Sequence, residues 1–149
     1  MGDFCSIDGE EGFIDEIGFV YTALSTTDNK KIFIPNGQVT NATVINYNAE
    51  TTRRLELKFS IDYKADYNQA KQAIMDVVMR NPYALTDPKP LVRMSGHNDS
   101  SIEITCRVWA ESEHYWELNY DLWEGVKDEF DRIGINIPYP QMDVHIKTE

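Results

Sequence analysis

Between Leu55 and Asp62 apolar and polar residues alternate without a break: Leu55, Leu57, Phe59 and Ile61 interleave with Glu56, Lys58, Ser60 and Asp62. A period of two puts each set on one face of an extended strand, so this segment must set one face against a core and the other in water. Ile102, Ile104, Cys106 and Val108 repeat the pattern within a strand predicted over Ser101 to Trp109. Faces of this kind need a covering layer, and two helical stripes supply one. Asp66 can cap a helix with Gln69 three residues on, and Ala70, Ile74, Val77 and Val78 then recur at helical spacing until Asn81-Pro82 stops it. Leu118, Leu122, Val126, Phe130 and Ile133 form the second stripe, with Ser112 as its expected cap and Gly134 as its left-handed stop. A strand over Leu91 to Ser95 follows the Pro-containing linker Thr86 to Pro90, the loop His97 to Ser100 joins it to the next, and a last strand is expected from Ile135 onward. The order strand, helix, strand, strand, helix, strand predicts a ferredoxin-like αβ sandwich with both helices on one sheet face.

The first third reads differently. Phe4 to Ile7, Phe13 to Ile17, Phe19 to Leu24, Lys31 to Ile34 and Val39 to Tyr47 are strand candidates, punctuated by Asp8-Gly9, Gly18, Asp28-Asn29 and Pro35-Asn36-Gly37. Five strands so closely spaced, with no helix required, predict a small Sm-like β-barrel. The polar stretch Asn48 to Thr52 marks a boundary, giving a β-domain over 1–49, an αβ domain over 50–137 and a terminal strand over 138–149. The fold class expected is therefore α+β.

Charge excludes some functions. The chain has 14 Lys and Arg against 25 Asp and Glu, a formal net charge of -11, which is the wrong sign for neutralising phosphates or anionic lipid headgroups. No stretch approaches the roughly 20 apolar residues of a membrane-spanning helix. The first residues lack the basic and apolar regions of a secretory signal, which predicts a cytosolic setting. Cys5 and Cys106 show neither disulfide nor zinc spacing and are expected to be reduced core residues. His97, Asp99, Ser100 and Ser101 lie together, but a polar hairpin turn accounts for them as well as an acid-base site would. His97, His114 and His145 fall in three different elements, so no metal site is expected, and Gly9, Gly12 and Gly18 fit no phosphate-binding fingerprint. No catalytic residue and no cofactor are predicted. The open sheet face, with Glu56, Lys58, Ser60 and Asp62 beside Glu103, Thr105 and Arg107, offers only Trp109 as an aromatic, so RNA binding is the weaker alternative, alongside an oligomerising scaffold. Tyr115, Trp116, Tyr120 and Trp123 flank the last helical stripe and suit either partner contact or core packing.

Several stretches resemble one family in order and spacing. Gly12-Phe13-Ile14-Asp15-Glu16-Ile17-Gly18 and Lys31-Ile32-Phe33-Ile34-Pro35-Asn36-Gly37 are similar to the "G-x-V-x-x-I" and "I-I-P-N-G" stretches of the small-conductance mechanosensitive channel (MscS) family's β-domain. Asn46-Tyr47, Arg53-Arg54, the Tyr63 to Asp66 segment and Ser100-Ser101 through Arg107-Val108-Trp109 resemble its αβ-domain. Phe130-Asp131, Gly134-Ile135 and Ile137-Pro138-Tyr139-Pro140-Gln141-Met142-Asp143-Val144 are similar to its ending. The resemblance implies a mechanosensitive ion channel of the cell (inner) membrane, a seven-subunit homo-oligomer that releases ions and small osmolytes under tension. This region would be its cytoplasmic vestibule, with the family's transmembrane helices expected immediately before Gly2.

Two sets of residues follow as candidate sites. Pro35, Asn36 and Gly37 form a turn that the resemblance puts near the membrane end, where it would couple vestibule to gate, and Gly37 is expected at positive φ. Pro138 and Pro140 should lift the chain off its own domain. Met142, Val144 and Ile146 then alternate with Asp143, His145 and Lys147, as a strand of a small barrel shared between subunits requires.

Overall fold

The computed structural model describes residues 1–144, which fold as two compact units, Met1–Thr51 and a second beginning at Thr52. In the first, β1 (Phe4–Ile7), β2 (Glu10–Ile17), β3 (Tyr21–Ser25) and β4 (Lys31–Pro35) run as an antiparallel meander, and β5 (Val44–Asn46) returns to pair with β1, giving the order β4-β3-β2-β1-β5. Asp8 and Gly9, at φ 54° and 89°, make the tight β1–β2 turn, where paired left-handed residues match the twist of the strands. Gly12 is needed for a different reason: a Cβ there would lie 2.8 Å from the Ser25 carbonyl oxygen of the neighbouring strand. The core is small, with Ile7, Leu24 and Ile34 buried and Ile14, Ile32, Val39 and Ala42 packed on them.

The expectation that this unit needs no helix is corrected, because Asn36–Val39 form a single helical turn, α1, directly after β4. Val39 therefore belongs to a helix, and the strand expected over Val39 to Tyr47 shrinks to β5. Gly37 lies inside that helical turn with φ outside the left-handed region, which overturns its expected positive φ. Strand β3 begins two residues later than expected because the Gly18 N–H donates to the Tyr21 carbonyl at 2.8 Å and closes a turn over Phe19 and Val20.

The second unit sets β6 (Thr52–Ile61), β7 (Leu91–His97) and β8 (Ile102–Glu111) in the antiparallel order β6-β8-β7, with α2 (Tyr67–Arg80) and α3 (Tyr115–Ile133) against the sheet's apolar face. The two alternating strands face each other residue for residue, Leu55 opposite Val108, Leu57 opposite Cys106 and Phe59 opposite Ile104, so both sets of apolar side chains enter one core. That core takes in Ala70, Ile74, Val77 and Val78 of α2 and Leu118, Leu122, Val126 and Phe130 of α3. Asp66 caps α2 by accepting from the Asn68 and Gln69 N–H groups, and Gly134, at φ 78°, ends α3 in the left-handed conformation.

Two expectations are corrected here. A 3-10 turn over Ser112–His114 precedes α3, so His114, with no side-chain capping bond, takes the position expected of Ser112. No strand forms between Ile135 and Val144. The Asp62 N–H donates to the Asn136 carbonyl at 3.2 Å, a bond beyond the end of β6, and Pro138 and Pro140 have no N–H with which to extend a ladder. The described sheet of this unit thus has three strands, and the architecture is α+β with antiparallel sheets.

Candidate functional site

The Pro35-Asn36-Gly37 segment is organised by one side chain. Pro35 closes the β3–β4 ladder opposite Tyr21, which brings Asn36 beside the β2–β3 turn. There Asn36 makes three hydrogen bonds at once: its backbone N–H donates to the Val20 carbonyl at 2.9 Å, its Nδ2 donates to the Gly18 carbonyl at 2.8 Å, and its Oδ1 accepts from Thr22 Oγ1 at 2.9 Å. Asparagine suits the place because its amide donates and accepts through adjacent atoms, so one residue can hold both ends of a turn. Gly37 contributes openness, since nothing lies within 4 Å of where its Cβ would be. What the bonds hold outward is apolar: Phe19 is 100% exposed, and Ile17, Val20 and Phe33 are more than half exposed. Sequence reasoning found the motif but missed this tip, although the run Ile17-Gly18-Phe19-Val20-Tyr21 signals apolar residues about a turn.

The C-terminal segment is anchored before it leaves the second unit. The Gln141 N–H donates to Ser100 Oγ at 3.2 Å, and its Nε2 donates to Asp62 Oδ2 at 2.7 Å. The Lys64 N–H and Gln141 together hold the Asp62 carboxyl below the usual carboxylate range. Beyond this anchor Met142 and Val144 are 85% and 70% exposed. Ile146, His145 and Lys147 lie outside the described residues.

The polar loop is occupied by structural bonds. Ser100 receives Gln141, Ser101 Oγ accepts from Asn98 Nδ2 at 3.3 Å, the Tyr63 hydroxyl donates to the Asn98 carbonyl, and His97 lies against the Tyr63 ring. Burial pushes the Cys106 thiol up to about 12, far from a nucleophile's range, and raises that of Cys5 as well. Both cysteines are free. A grouping the sequence reading missed is Glu111, Glu113 and His114, whose ligand-type atoms lie within 4.8 Å of one another where β8 meets α3. The His114 ring stacks on Tyr83 at 4.4 Å and its Nε2 faces Glu113 at 3.5 Å.

On the open sheet face, Arg107 Nε donates to Glu56 Oε2 at 2.7 Å and Lys58 Nζ stands 3.2 Å from Glu103, so charges pair across the strands. The α3 aromatics divide. Tyr115 lies under the Arg53 guanidinium at 3.8 Å and Trp123 meets Phe59 edge-on at 5.0 Å, whereas Trp116 and Tyr120 stack on each other and are more than half exposed. Trp123, Phe59, Val126, Phe130 and Ile137 line an open groove of about 380 Å³ beside β6. No helix among the described residues is long and apolar enough to cross a membrane.

Comparison with known proteins gives a consistent answer. Residues 1–49 match the family model "Mechanosensitive ion channel, beta-domain" and residues 55–137 match "Mechanosensitive ion channel MscS, C-terminal". A small-conductance mechanosensitive channel of Edwardsiella ictaluri is 34% identical over 145 residues, covering 97% of this chain and 51% of that protein. An uncharacterized MscS family protein of Archaeoglobus fulgidus is 34% identical over 149 residues, covering 100% of this chain and 53% of its own. The chain thus spans about half the length of these relatives. The crystal structure of Helicobacter pylori MscS in its closed state superposes with a TM-score of 0.93 at 29% identity, covering 99% of this chain and 59% of that one.

Proposed function

Because this chain belongs to the MscS family of mechanosensitive ion channels, we propose that it is the vestibule part of a channel that opens under membrane tension and passes ions and small osmolytes. In this reading the first unit is the Sm-like β-domain, the second is the ferredoxin-like αβ domain, and the terminal segment, anchored at Gln141, leaves it to join a barrel shared between subunits. The whole protein lies in the inner membrane with this region on the cytoplasmic side. It turns over no substrate.

The observation that carries the reading is the terminal segment. Its root is fixed by Gln141 to Asp62 and Ser100, yet Met142 and Val144 stand in solvent immediately afterwards. A short extended segment with an apolar face is unstable alone and leaves backbone groups unpaired, whereas a ring of equivalent strands pairs them all and abolishes the edges. The assembly is accordingly a cyclic homo-oligomer, by resemblance a heptamer, with Met142, Val144 and Ile146 at its contacts. The Pro35-Asn36-Gly37 turn, rigid through Asn36, couples this vestibule to the gate.

Sedimentation of the chain and of a version ending at Tyr139 tests the assembly. The intact chain is expected to form the large ring and the shortened one to dissociate. Rings of equal size from both would remove the terminal strand from the interface.

A further inference from the structure

The β2–β3 tip has a chemistry that the channel reading leaves unused. Phe19 is 100% exposed, Val20 68% and Ile17 61%, on a turn clamped by Asn36. A fully exposed phenylalanine at the apex of a tight, hydrogen-bonded turn is unusual. The three side chains present on the order of 400 Å² of apolar surface, within the range of the largest and often functional patch on a monomer. The surroundings are equally distinctive. In a chain of net charge -11, no Asp, Glu, Lys or Arg occurs from Ile17 to Thr27 or from Ile32 to Ala49, the stretches that form β3, most of β4, α1 and β5. Glu16 is the one charged residue bordering the turn in sequence.

We infer that this tip inserts into the interfacial region of a lipid bilayer, with Phe19 deepest and Ile17 and Val20 at its sides. Three observations favour lipid over a protein partner. Phe19 is 100% exposed at the apex of the turn, so the tip protrudes and offers no pocket for a partner's side chain. Its area is about half of the roughly 800 Å² that one side of a standard protein interface buries. Glu16, whose carboxylate reaches Gly18, is the one charge bordering the turn, so approach to a membrane desolvates few ions. The Asn36 clamp holds the turn outward in advance, so insertion requires no ordering of the loop. Because the chain is acidic, the favoured surface is zwitterionic rather than anionic.

The inference does not depend on assembly or gating, so it is tested on this chain with phosphatidylcholine vesicles. A Phe19→Trp variant is expected to show a blue-shifted emission on vesicle addition, with quenching by brominated phosphatidylcholine that wild type, with its own three tryptophans, does not show. Phe19→Ser should weaken partitioning about tenfold or more, from loss of one large apolar side chain, with an unchanged circular dichroism spectrum because the residue touches no core. Replacing part of the phosphatidylcholine with anionic lipid at low salt should reduce binding. Absence of binding, binding indifferent to Phe19→Ser, or binding that strengthens with anionic lipid would each overturn the inference. So would a Phe19→Trp emission already blue-shifted without lipid, which would assign the tip to a protein contact.

Discussion

Asn36 and Gly37 are neighbours in one motif, yet their side chains have opposite relations to the structure. Asn36 satisfies the Gly18 carbonyl and the Thr22 hydroxyl, so Asn36→Ala removes two partly buried side-chain bonds and should cost about 1–3 kcal/mol in the unfolding free energy of the first unit. Gly37 sits in a helical turn with open space about its Cα, so Gly37→Ala is expected to be neutral or to stabilise by about 0.5–1 kcal/mol, through a less flexible unfolded chain. Urea denaturation of the two variants checks the contrast. Equal losses would mean that the glycine's conformation, rather than the asparagine's bonds, is what the motif preserves. The string Pro35-Asn36-Gly37 suggests a turn needing a left-handed glycine. The three bonds of Asn36 could not be read from it, because their partners lie 14 to 18 residues away, in β3 and the turn before it.

At the scale of elements, α2 and α3 are joined by a carboxylate held between two guanidinium groups. Glu129 lies 2.6 Å from Arg132 one turn along α3 and 3.4 Å from Arg80 at the end of α2, and Arg132 first, then Arg80, hold its carboxyl below the usual range. A carboxyl whose folded pKa is depressed favours the folded state fully above its unfolded value, near 4.3, and loses that contribution as the pH falls through the folded value. The second unit should therefore lose thermal stability on acidification below about pH 5. Glu129→Gln, which cannot ionise, should flatten that slope while lowering the melting temperature at pH 7. A variant with the wild-type acid slope would exclude Glu129 as a main source of it. The helical stripes and their stops were legible because they recur within a few residues. The Arg80–Glu129 link was not, since it spans 49 positions and depends on how the helices cross.

At the scale of the whole molecule, each copy carries a formal charge of -11, and a ring of copies would concentrate that charge around an enclosed volume. Over a Debye length of about 10 Å at 0.1 M salt, cations are enriched and anions depleted near such a surface. On the proposed reading, the whole protein should accordingly favour cations at low ionic strength, and more weakly at high salt. Reversal potentials across a salt gradient measure this, and a preference for chloride would show that the charge lies outside the ion path.

The sequence alone determined what rests on short-range periodicity and stereochemistry. The two alternating strands, both helical stripes, the Asp66 cap, the Gly134 stop and the acidic balance could all be read directly, as could the resemblance carried by motifs in order. Tertiary structure decided what depends on partners distant in sequence. It made Asn36–Val39 a helical turn because Asn36 is held by Gly18, Val20 and Thr22. It left Ile135–Val144 outside the sheet, because that segment is tied to Asp62 and Ser100 by isolated bonds rather than a ladder. It also turned Phe19 outward, which no periodicity could foretell. An apolar residue in a strand-like run reads as core until the turn beneath it is closed by hydrogen bonds from another element.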